Sequence, residues 1–207
     1  MYYLVSFCTI GTSDMRIILA SASPRRKQLL EQMGLKFDII ISNKEESNPQ
    51  DLALEKIPVE LAYNKAMDIA SQIHEPAVVI GADTVVVKDG ILGKPKDREE
   101  ARQMLYMLQG QTHQVITGLA LVNPWTGEVQ KGYEKTLVEM TTLTLKEIES
   151  YVKTGEPMDK AGGYGIQGLA GIFISRIEGC YFNVMGLPIH LLWNMLKEFG
   201  VNVFANI

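Results

Sequence analysis

The amino-acid sequence predicts a mixed α/β fold built on a central sheet. Short β-branched runs alternate with amphipathic helical patterns along the chain, which favours a sheet flanked by helices. Apolar residues make up 46% and charged residues 21%, as in ordinary globular proteins. The length of 207 residues is little more than one typical domain of about 150 residues. One α/β domain, or two lobes that share a sheet, is therefore expected.

The first half of the chain predicts two strands that are each followed by a helix. The strands lie at residues 17–20 and 37–41. Ser23 and Pro24 begin the first helix, as an N-cap residue and a proline at the first helical position. The polar segment 42–58 predicts a loop, at the end of which Pro58 begins the second helix.

The second half predicts antiparallel strands and further helices. Residues 77–80 and 84–87 are β-branched strand patterns, and Lys88-Asp89-Gly90 is a hairpin turn signal. Capping-box patterns at Asp97 with Glu100, and at Thr144 with Glu147, begin two helices. The remaining predictions are strands at 115–122, 128–142 and 172–177, a glycine-rich segment at 162–171, and a last helix from Pro188 to Gly200.

Composition excludes several classes of protein. The net charge of −4 gives no support for non-specific nucleic-acid binding. No apolar run approaches the roughly 18–20 residues of a membrane helix. Cys8 and Cys180 form no disulfide framework, which favours a reducing compartment. The cysteines and histidines lack the spacing of a structural zinc site.

The N-terminal segment differs from the rest of the chain. Residues 1–14 are apolar and lack the Lys or Arg that precedes the apolar stretch of a secretory signal. A second methionine, Met15, stands directly before the first strand pattern. We interpret residues 1–14 as an extension and residues 15–207 as the domain.

A basic segment, SASPRRK at residues 21–27, lies where the first strand gives way to the first helix. Free N–H groups at a helix start attract anions, and arginine suits bidentate contacts with phosphate. Ser23, Arg25 and Arg26 are therefore candidate phosphate-binding residues. The alternative is that Ser23 only caps the helix and that the basic side chains are solvated.

Asp83 interrupts an otherwise apolar run. A buried carboxylate is unfavourable without a partner, which could be a cation, a metal ion or backbone N–H groups. The adjacent Gly81 and Ala82 would leave its approach open. Together with Glu46 in the polar loop, Asp83 offers the oxygen ligands that Mg²⁺ prefers. The alternatives are a structural role in a turn for Asp83 and a solvated surface position for Glu46.

Three further residues are candidates for the same site. Lys65 flanks the apolar face of the second helix, and Lys94 lies in a rigid, extended Gly-Lys-Pro loop. Gln167 lies in the glycine-rich segment 162–171, whose glycines permit close approach by a ligand. Its amide can donate and accept, so it could recognise the edge of a base. The alternatives are that Lys65 is a surface lysine, that Lys94 only forms a turn, and that the segment of Gln167 is a flexible connector.

Eight segments in register resemble the Maf family of nucleoside triphosphate pyrophosphatases, from about Met15 to about Gly200. They are ILASASPRR (18–26), EES (45–47), YNKA (63–66), GADTVV (81–86), LGKP (92–95), HQVITG (113–118), GEPMDKAGGYGIQG (155–168) and NVMGLP (183–188). The resemblance implies a two-lobed fold, similar to that of inosine-triphosphate pyrophosphatases, with a central mixed β-sheet flanked by helices and a cleft between the lobes.

The resemblance also implies an activity. The enzyme would be cytoplasmic and would cleave a nucleoside triphosphate between its α- and β-phosphates, releasing a monophosphate and pyrophosphate. A divalent metal cation, Mg²⁺ or Mn²⁺, would be required. No nucleic-acid or membrane partner is implied, and a homodimer is left open.

Roles for individual residues follow from the same resemblance. Asp83 would be the general base and a metal ligand, and Glu46 a metal ligand or second acid. Phosphate binding is assigned to Ser23, Arg25, Arg26, Lys65 and Lys94. The choice of base is assigned to Arg25, Thr84 and Gln167, in a combination that resembles the branch acting on dTTP and UTP rather than the branch acting on 7-methyl-GTP.

Two other functions remain open at this point. Members of the family have been linked to septum formation and division arrest, so a nucleotide-binding regulator of cell division without important turnover is one alternative. An inosine-triphosphate-type pyrophosphatase is the other, although the GGYGIQG and SPRR segments argue against it.

Overall fold

The structure, a computed structural model, describes residues 15–42 and 52–204. Within these ranges seven strands form one sheet: β1 Arg16–Leu19, β2 Asp38–Ile39, β3 Ala77–Val87, β4 Ile91–Leu92, β5 Thr112–Val122, β6 Val129–Met140 and β7 Ile174–Glu178. The α-helices are α1 Pro24–Gln32, α2 Lys56–Ala70, α3 Arg98–Leu108, α4 Leu145–Lys153, α5 Tyr181–Met185 and α6 Ile189–Glu198. Short 3₁₀ turns occupy Glu156–Asp159, Ala161–Gly163 and Leu169–Phe173.

The sheet is mixed, as the sequence predicts. Its strand order is β2-β1-β3-β5-β6-β7, with β1 parallel to both β2 and β3. From β3 onwards the pairing is antiparallel, and the short β4 pairs with the end of β3. Among the described residues, no helix has the length and apolar character needed to cross a membrane.

Helices pack on both faces of the sheet. On one face, α2 buries Ala62, Ala66 and Ile69 against β1, β3 and β5. The opposite face carries two separate apolar clusters. One joins α1 and α6 to β1, β3 and β5, and the other joins α3 and α4 to β3, β5 and β6. Thr84 and Thr117, which are directly paired in the sheet, lie between these clusters.

Two glycines allow α2 to lie directly on the sheet. A Cβ at Gly81 would come within 2.0 Å of the carbonyl oxygen of Ala62, and one at Gly118 within 2.3 Å of the backbone of Pro58 and Val59. The expectation that Gly81 leaves room for a ligand is therefore wrong, because α2 fills that space. This close packing brings the side chains of α2 against β3.

Several predicted boundaries differ from the structure. The pattern at 77–87 forms one continuous strand, because the glycine at 81 is accommodated by helix packing rather than by a turn. Helix α2 begins at Lys56, two residues before Pro58. The short helix α5 was not predicted, and its glycine end at Gly186 has a positive φ of 105°.

The two capping boxes have different outcomes. Thr144 and Glu147 form a complete box at the start of α4. At α3, Asp97 accepts the N–H of Glu100 at 2.8 Å, but the Glu100 carboxylate accepts the N–H of Lys96 rather than that of Asp97. The predicted start of α3 is therefore confirmed, whereas the predicted bond from the backbone N–H of Asp97 to the Glu100 carboxylate is absent.

Candidate active site

A cleft of about 850 Å³ opens beside the middle of β3. The pairing of β1 with β3 ends at Ile80, and the pairing of β4 with β3 begins at Val86. Within the described chain, residues 81–85 of β3 thus pair with a strand on one side only, that of β5. The carboxyl end of a parallel strand, here β1, is a common place for ligands in α/β sheets.

The structure brings the predicted site residues together. Those that line the cleft are Ser23, Arg25, Arg26, Lys65, Asp83, Thr84, Lys94 and Gln167. They come from α1 and the N-cap position before it, from α2 and β3, and from two loops, so they are dispersed in sequence and gathered by the fold. Glu46, the remaining candidate, lies outside the described residues.

Asp83 and Lys65 form an ion pair at the cleft wall. The Nζ atom of Lys65 lies 2.5 Å from Oδ1 of Asp83, and the exposed fractions of the two side chains are 19% and 12%. Asp83 lies on the face of β3 that packs against α2, and Lys65 projects from that helix. The sequence allowed a cation as the partner of Asp83, and the structure identifies it as Lys65.

Arg26 lies on the opposite face of the sheet and is held by three protein acceptors. Its Nε donates to the carbonyl oxygen of Gly186 at 2.8 Å, Nη1 to Oγ of Ser21 at 3.1 Å and Nη2 to Oγ1 of Thr84 at 3.2 Å. These bonds orient the guanidinium plane and connect α1, β3 and the end of α5.

The start of α1 has the predicted form, with one difference. Ser23 is in an extended conformation before Pro24, which is the first helical residue. Its side chain makes no capping hydrogen bond, and its backbone N–H donates to Oγ of Ser21 at 3.2 Å. The hydroxyl of Ser23 therefore lines the cleft without a capping role.

Arg25 makes an ionic contact across the cleft. Its Nη1 lies 3.6 Å from Oδ2 of Asp159, whose Oδ1 contacts Nζ of Lys160 at 2.6 Å. Partial burial disfavours the charged form of Asp159, but the hydrogen bond and charge of Lys160 and the charge of Arg25 outweigh burial and lower the pKa of that carboxyl. Asp159 and Lys160 both line the cleft.

Gln167 is anchored to the same helix as Arg25. Its Nε2 donates to Oε1 of Gln28 at 3.0 Å. The loop that carries Lys94 is joined to the glycine-rich segment, since the N–H of Gly162 donates to the carbonyl oxygen of Gly93 at 3.0 Å. The walls of the cleft are thus linked to each other by hydrogen bonds.

The glycines of this segment serve packing more than ligand access. Gly162, with a φ of 69°, lies against Val86, and a Cβ at Gly168 would be 2.2 Å from Oε1 of Glu156. The same carboxylate accepts the N–H of Leu169 at 3.0 Å. The sequence predicted that a ligand could approach closely at these glycines, but at both positions protein side chains fill the space.

A buried aromatic pair lies behind this wall of the cleft. Nε2 of His113 is 2.6 Å from the hydroxyl of Tyr164, and the two rings meet edge to face. Burial, assisted by the charge of Lys88, lowers the pKa of His113 to about 4, so its ring is neutral at pH 7. Burial also raises the pKa of Tyr164.

Comparison with known proteins assigns the chain to a family. The family model described as Maf-like protein matches residues 16–199. The chain belongs to the Maf family. The resemblance on which the site assignment rests is therefore confirmed, whereas the roles of the individual residues stay predictions.

Curated relatives of this Maf chain are similar over nearly their full lengths. A dTTP/UTP pyrophosphatase of Acetivibrio thermocellus is 49% identical over 199 residues, which is 93% of this chain and 100% of that protein. A dTTP/UTP pyrophosphatase of Desulforamulus reducens is 51% identical over 188 residues, 90% of this chain and 98% of that protein.

A solved structure is similar at a lower level. It is a nucleoside-triphosphatase, or dITP/XTP pyrophosphatase, from Mycobacterium abscessus, with 13% identity and a TM-score of 0.44. The match covers 90% of this chain and 95% of that one. A similarity of this size carries no weight for function.

The cleft of this Maf chain fits a divalent cation in its donor chemistry. The described residues contain no group of three or more acidic, histidine or cysteine side chains that could enclose a metal ion. Mg²⁺ does not need such a cage, since one or two carboxylates and the phosphates of a substrate usually hold it. Asp83, whose Oδ1 is paired with Lys65, is the predicted first carboxylate ligand, and Glu46 is the predicted second.

Two charged residues of the cleft in this Maf chain, Asp159 and Lys160, were not predicted as site residues. Both lie within GEPMDKAGGYGIQG, beside the glycines and Gln167. An adjacent acid and base are usually solvated, so nothing local singles them out. The usable signal was their position inside a family motif that also carries Gln167.

Proposed function

We propose that this Maf-family chain hydrolyses nucleoside triphosphates, dTTP and UTP in particular, between the α- and β-phosphates. The observation that carries the proposal is the mostly buried carboxylate of Asp83 in a cleft that is also lined by Arg25, Arg26, Lys65 and Lys94. The names of the curated relatives support the choice of substrate. The products are a nucleoside monophosphate and pyrophosphate.

The positively charged side chains of the cleft contribute much of the catalysis by neutralising phosphate charge. A triphosphate is strongly anionic, and attack on its α-phosphorus becomes easier when cationic groups neutralise charge on the phosphate oxygens. Arg25, Arg26, Lys65 and Lys94 supply this charge, and the hydroxyl of Ser23 adds a hydrogen-bond donor. Asp83 acts as general base and removes a proton from the attacking water.

The ion pair gives Lys65 a dual place in this mechanism. Its ammonium group orients Asp83 at 2.5 Å, and it lies in the cleft where the phosphates bind. A lysine has three N–H donors, so one can remain on Asp83 while another meets a phosphate oxygen. Lys65 thereby holds the base at a constant distance from the reacting group.

Asp83 and Glu46 would hold a divalent cation, Mg²⁺ or Mn²⁺. When bound, the cation would neutralise phosphate charge and assist in orienting the phosphates. The protein contributes carboxylate oxygens, the ligands these hard cations prefer.

In this proposal, Arg25, Thr84 and Gln167 select the nucleobase of the substrate. All three line the cleft, but Arg25 and Gln167 are tied to Asp159 and Gln28 while Thr84 is bonded to Arg26. These contacts pre-organise the side chains, which lowers the conformational entropy lost on binding.

The decisive experiment measures product formation from a panel of nucleotides. Purified protein with Mg²⁺ should release pyrophosphate and monophosphate from dTTP and UTP faster than from CTP, GTP, ITP or 7-methyl-GTP. Chelation should abolish the activity, and Mg²⁺ or Mn²⁺ should restore it. Release of inorganic phosphate and a diphosphate would contradict cleavage at the α–β bond.

The same assay separates the alternatives. Tight binding of dTTP without turnover would favour a regulator of cell division over an enzyme. Preference for ITP would favour the inosine-triphosphate type, and preference for 7-methyl-GTP the other Maf branch. A cytoplasmic location is a further part of the proposal, which cell fractionation tests. Light scattering decides between a monomer and the homodimer that the resemblance leaves open.

A further inference from the structure

A chain of hydrogen bonds runs from the cleft into the buried polar seam between the two apolar clusters. Nη2 of Arg26 donates to Oγ1 of Thr84, which lies 2.9 Å from Oγ1 of Thr117. Oγ1 of Thr117 in turn donates to the backbone carbonyl oxygen of Asn183 at 2.9 Å. Thr117 and Asn183 are fully buried, whereas Thr84 is partly exposed and lines the cleft.

The direction of this chain follows from counting hydrogens. A threonine hydroxyl carries one hydrogen and two lone pairs. The hydrogen of Thr117 is used on the carbonyl oxygen of Asn183, because a carbonyl can only accept. In the contact between the two hydroxyls, Thr84 must therefore be the donor and Thr117 the acceptor.

The hydrogen-bonding capacity left on Thr84 is then known. Its hydrogen goes to Thr117, and one of its lone pairs accepts from Arg26. One lone pair remains. Thr84 can accept a hydrogen bond from a ligand in the cleft but cannot donate one, which makes it a poor partner for phosphate oxygens and a good one for an N–H group.

Asn183 holds the far end of the chain in a single orientation. Its Oδ1 accepts the N–H of Thr117 at 3.0 Å, and its Nδ2 donates to the carbonyl oxygen of Val115 at 2.9 Å and to Oγ1 of Thr136 at 2.8 Å. If the amide were reversed, its NH₂ group would face the backbone N–H of Thr117 and its oxygen would face the carbonyl oxygen of Val115, and both contacts would be repulsive. The NVMGLP motif, to which no role has been assigned so far, thus anchors the carbonyl that receives the hydrogen of Thr117.

We propose that Thr117 and Asn183 are positioning residues that set the polarity of the Thr84 hydroxyl, so that Thr84 accepts from the N3–H group of uracil or thymine. This inference rests on the proposed function. The ring nitrogen N3 of these bases carries a hydrogen, whereas N3 of cytosine carries a lone pair that would oppose the lone pair of Thr84. Thr117 and Asn183 thereby distinguish uracil and thymine from cytosine without touching the base themselves.

The test compares kcat/KM for UTP and CTP in the parent and in variants of Thr117. Thr117→Val removes the acceptor, so the Thr84 hydroxyl becomes able to donate to N3 of cytosine. We expect the preference for UTP over CTP to fall by roughly ten-fold, since an unmatched buried hydrogen-bonding group affects binding on that scale. Thr117→Ser keeps the hydroxyl and should keep the preference of the parent.

Thr136→Val is the matched control. Thr136 is as buried as Thr117 and also bonds Asn183, but its hydroxyl bonds Cys180 and Asn183 and is not hydrogen-bonded to Thr84. It should lower stability and leave the UTP-to-CTP ratio unchanged. An unchanged ratio in folded Thr117→Val, or an equal change in Thr136→Val, would overturn the proposal. A change in the UTP-to-dTTP ratio alone would overturn it too, because it would place Thr84 at the sugar or at the 5-methyl group of thymine rather than at N3.

A measurement on the parent protein covers the case in which Thr117→Val does not fold. UTP methylated at N3 lacks the donor, so it should be used about as poorly as CTP, and near-normal use of it would contradict the inference. If the parent hydrolyses no nucleotide, the proposed function fails. Calorimetric binding of UTP and CTP then tests the polarity of Thr84 by itself, and equal affinities would overturn it.

Discussion

The ion pair between Asp83 and Lys65 joins β3 to α2, at positions 18 residues apart in the chain. At 2.5 Å the two charged groups are in direct contact, and both side chains are mostly buried. Removing one partner of such a pair leaves an uncompensated buried charge. The free energy lost in this way is larger than the net stabilisation that the intact pair provides. Substitution at either residue therefore affects stability as well as chemistry, and both need to be measured.

Asp83→Asn tests the general base directly. The amide keeps the shape of the side chain but cannot take a proton from water, so turnover should fall by about 10²-fold or more. Pyrophosphate release from dTTP measures this, and circular dichroism establishes that the variant is folded.

Asp159→Asn is the matched control for that substitution. It removes the same charge from the same cleft, but Asp159 contacts Arg25 and Lys160 rather than Lys65. We expect a decrease in turnover of less than about ten-fold, the scale of one exposed ionic contact. Equal decreases in the two variants would show that Asp83 acts only through its charge.

His113 predicts a specific pH dependence of stability. Its pKa is about 4 in the folded protein because the ring is buried, against an ordinary value of 6.5. The unfolded chain therefore binds a proton between these two pH values and the folded protein does not. Stability is complete above pH 6.5 and declines as the pH falls toward 4, by about 3 kcal/mol.

The variant His113→Gln isolates this contribution. Other groups titrate in the same pH range, so the free energy of unfolding should be measured by urea titration at pH 7 and pH 4 in both proteins. The parent should lose about 3 kcal/mol more than the variant. Parallel losses would mean that His113 is protonated equally in the folded and unfolded states.

At the scale of elements, the position of α2 is set by glycines in the sheet. Gly118 pairs with Asp83, and the backbone of Pro58 and Val59 lies where its Cβ would be. Gly118→Ala should lower the free energy of unfolding by about 3 kcal/mol, because the colliding atoms belong to the backbone and cannot rotate away. Turnover should fall too, since α2 carries Lys65.

Gly132→Ala is the control for this substitution. Gly132 lies in the neighbouring strand β6, and the nearest atom to its Cβ would be a side-chain carbon of Leu191 at 3.4 Å, an ordinary contact. Its stability should change by less than about 1 kcal/mol. If the two variants have the same unfolding midpoint in urea, close packing of α2 on Gly118 is not a constraint.

At the scale of the whole molecule, the cleft lies beside β3, where two groups of helices separate on one face of the sheet and α2 contributes Lys65 from the other face. Helices α1 and α6 cover one end of that face, and α3 and α4 cover the other. Contacts from Arg25 to Asp159 and from Gln167 to Gln28 connect the two sides. Binding of a triphosphate would compete with Asp159 for Arg25, so the ionic contact across the cleft should weaken when substrate binds.

A chain that begins at Met15 tests the domain boundary. The family model starts at residue 16, and the described core runs from Ile17 to Val203. We propose that the shortened protein has the unfolding midpoint and the kcat/KM for dTTP of the full chain. A lower value of either would assign residues 1–14 to the working domain.

Much of this architecture follows from local sequence. Pro24 and the Thr144–Glu147 box begin helices where predicted, because capping depends on residues within one turn. The eight family segments also identify the cleft residues, and eight of the nine candidates line one cleft. The ninth, Glu46, lies outside the described residues.

What the sequence by itself determined is therefore the class of fold, the family and eight of the residues that line the cleft. Tertiary structure decided the pairings: Lys65 on Asp83, the three acceptors of Arg26, and the hydroxyl chain from Thr84 to Asn183. These contacts join residues up to 160 positions apart. No periodicity or spacing encodes them, because they arise only when α1, α2, β3, β5 and α5 pack against one another.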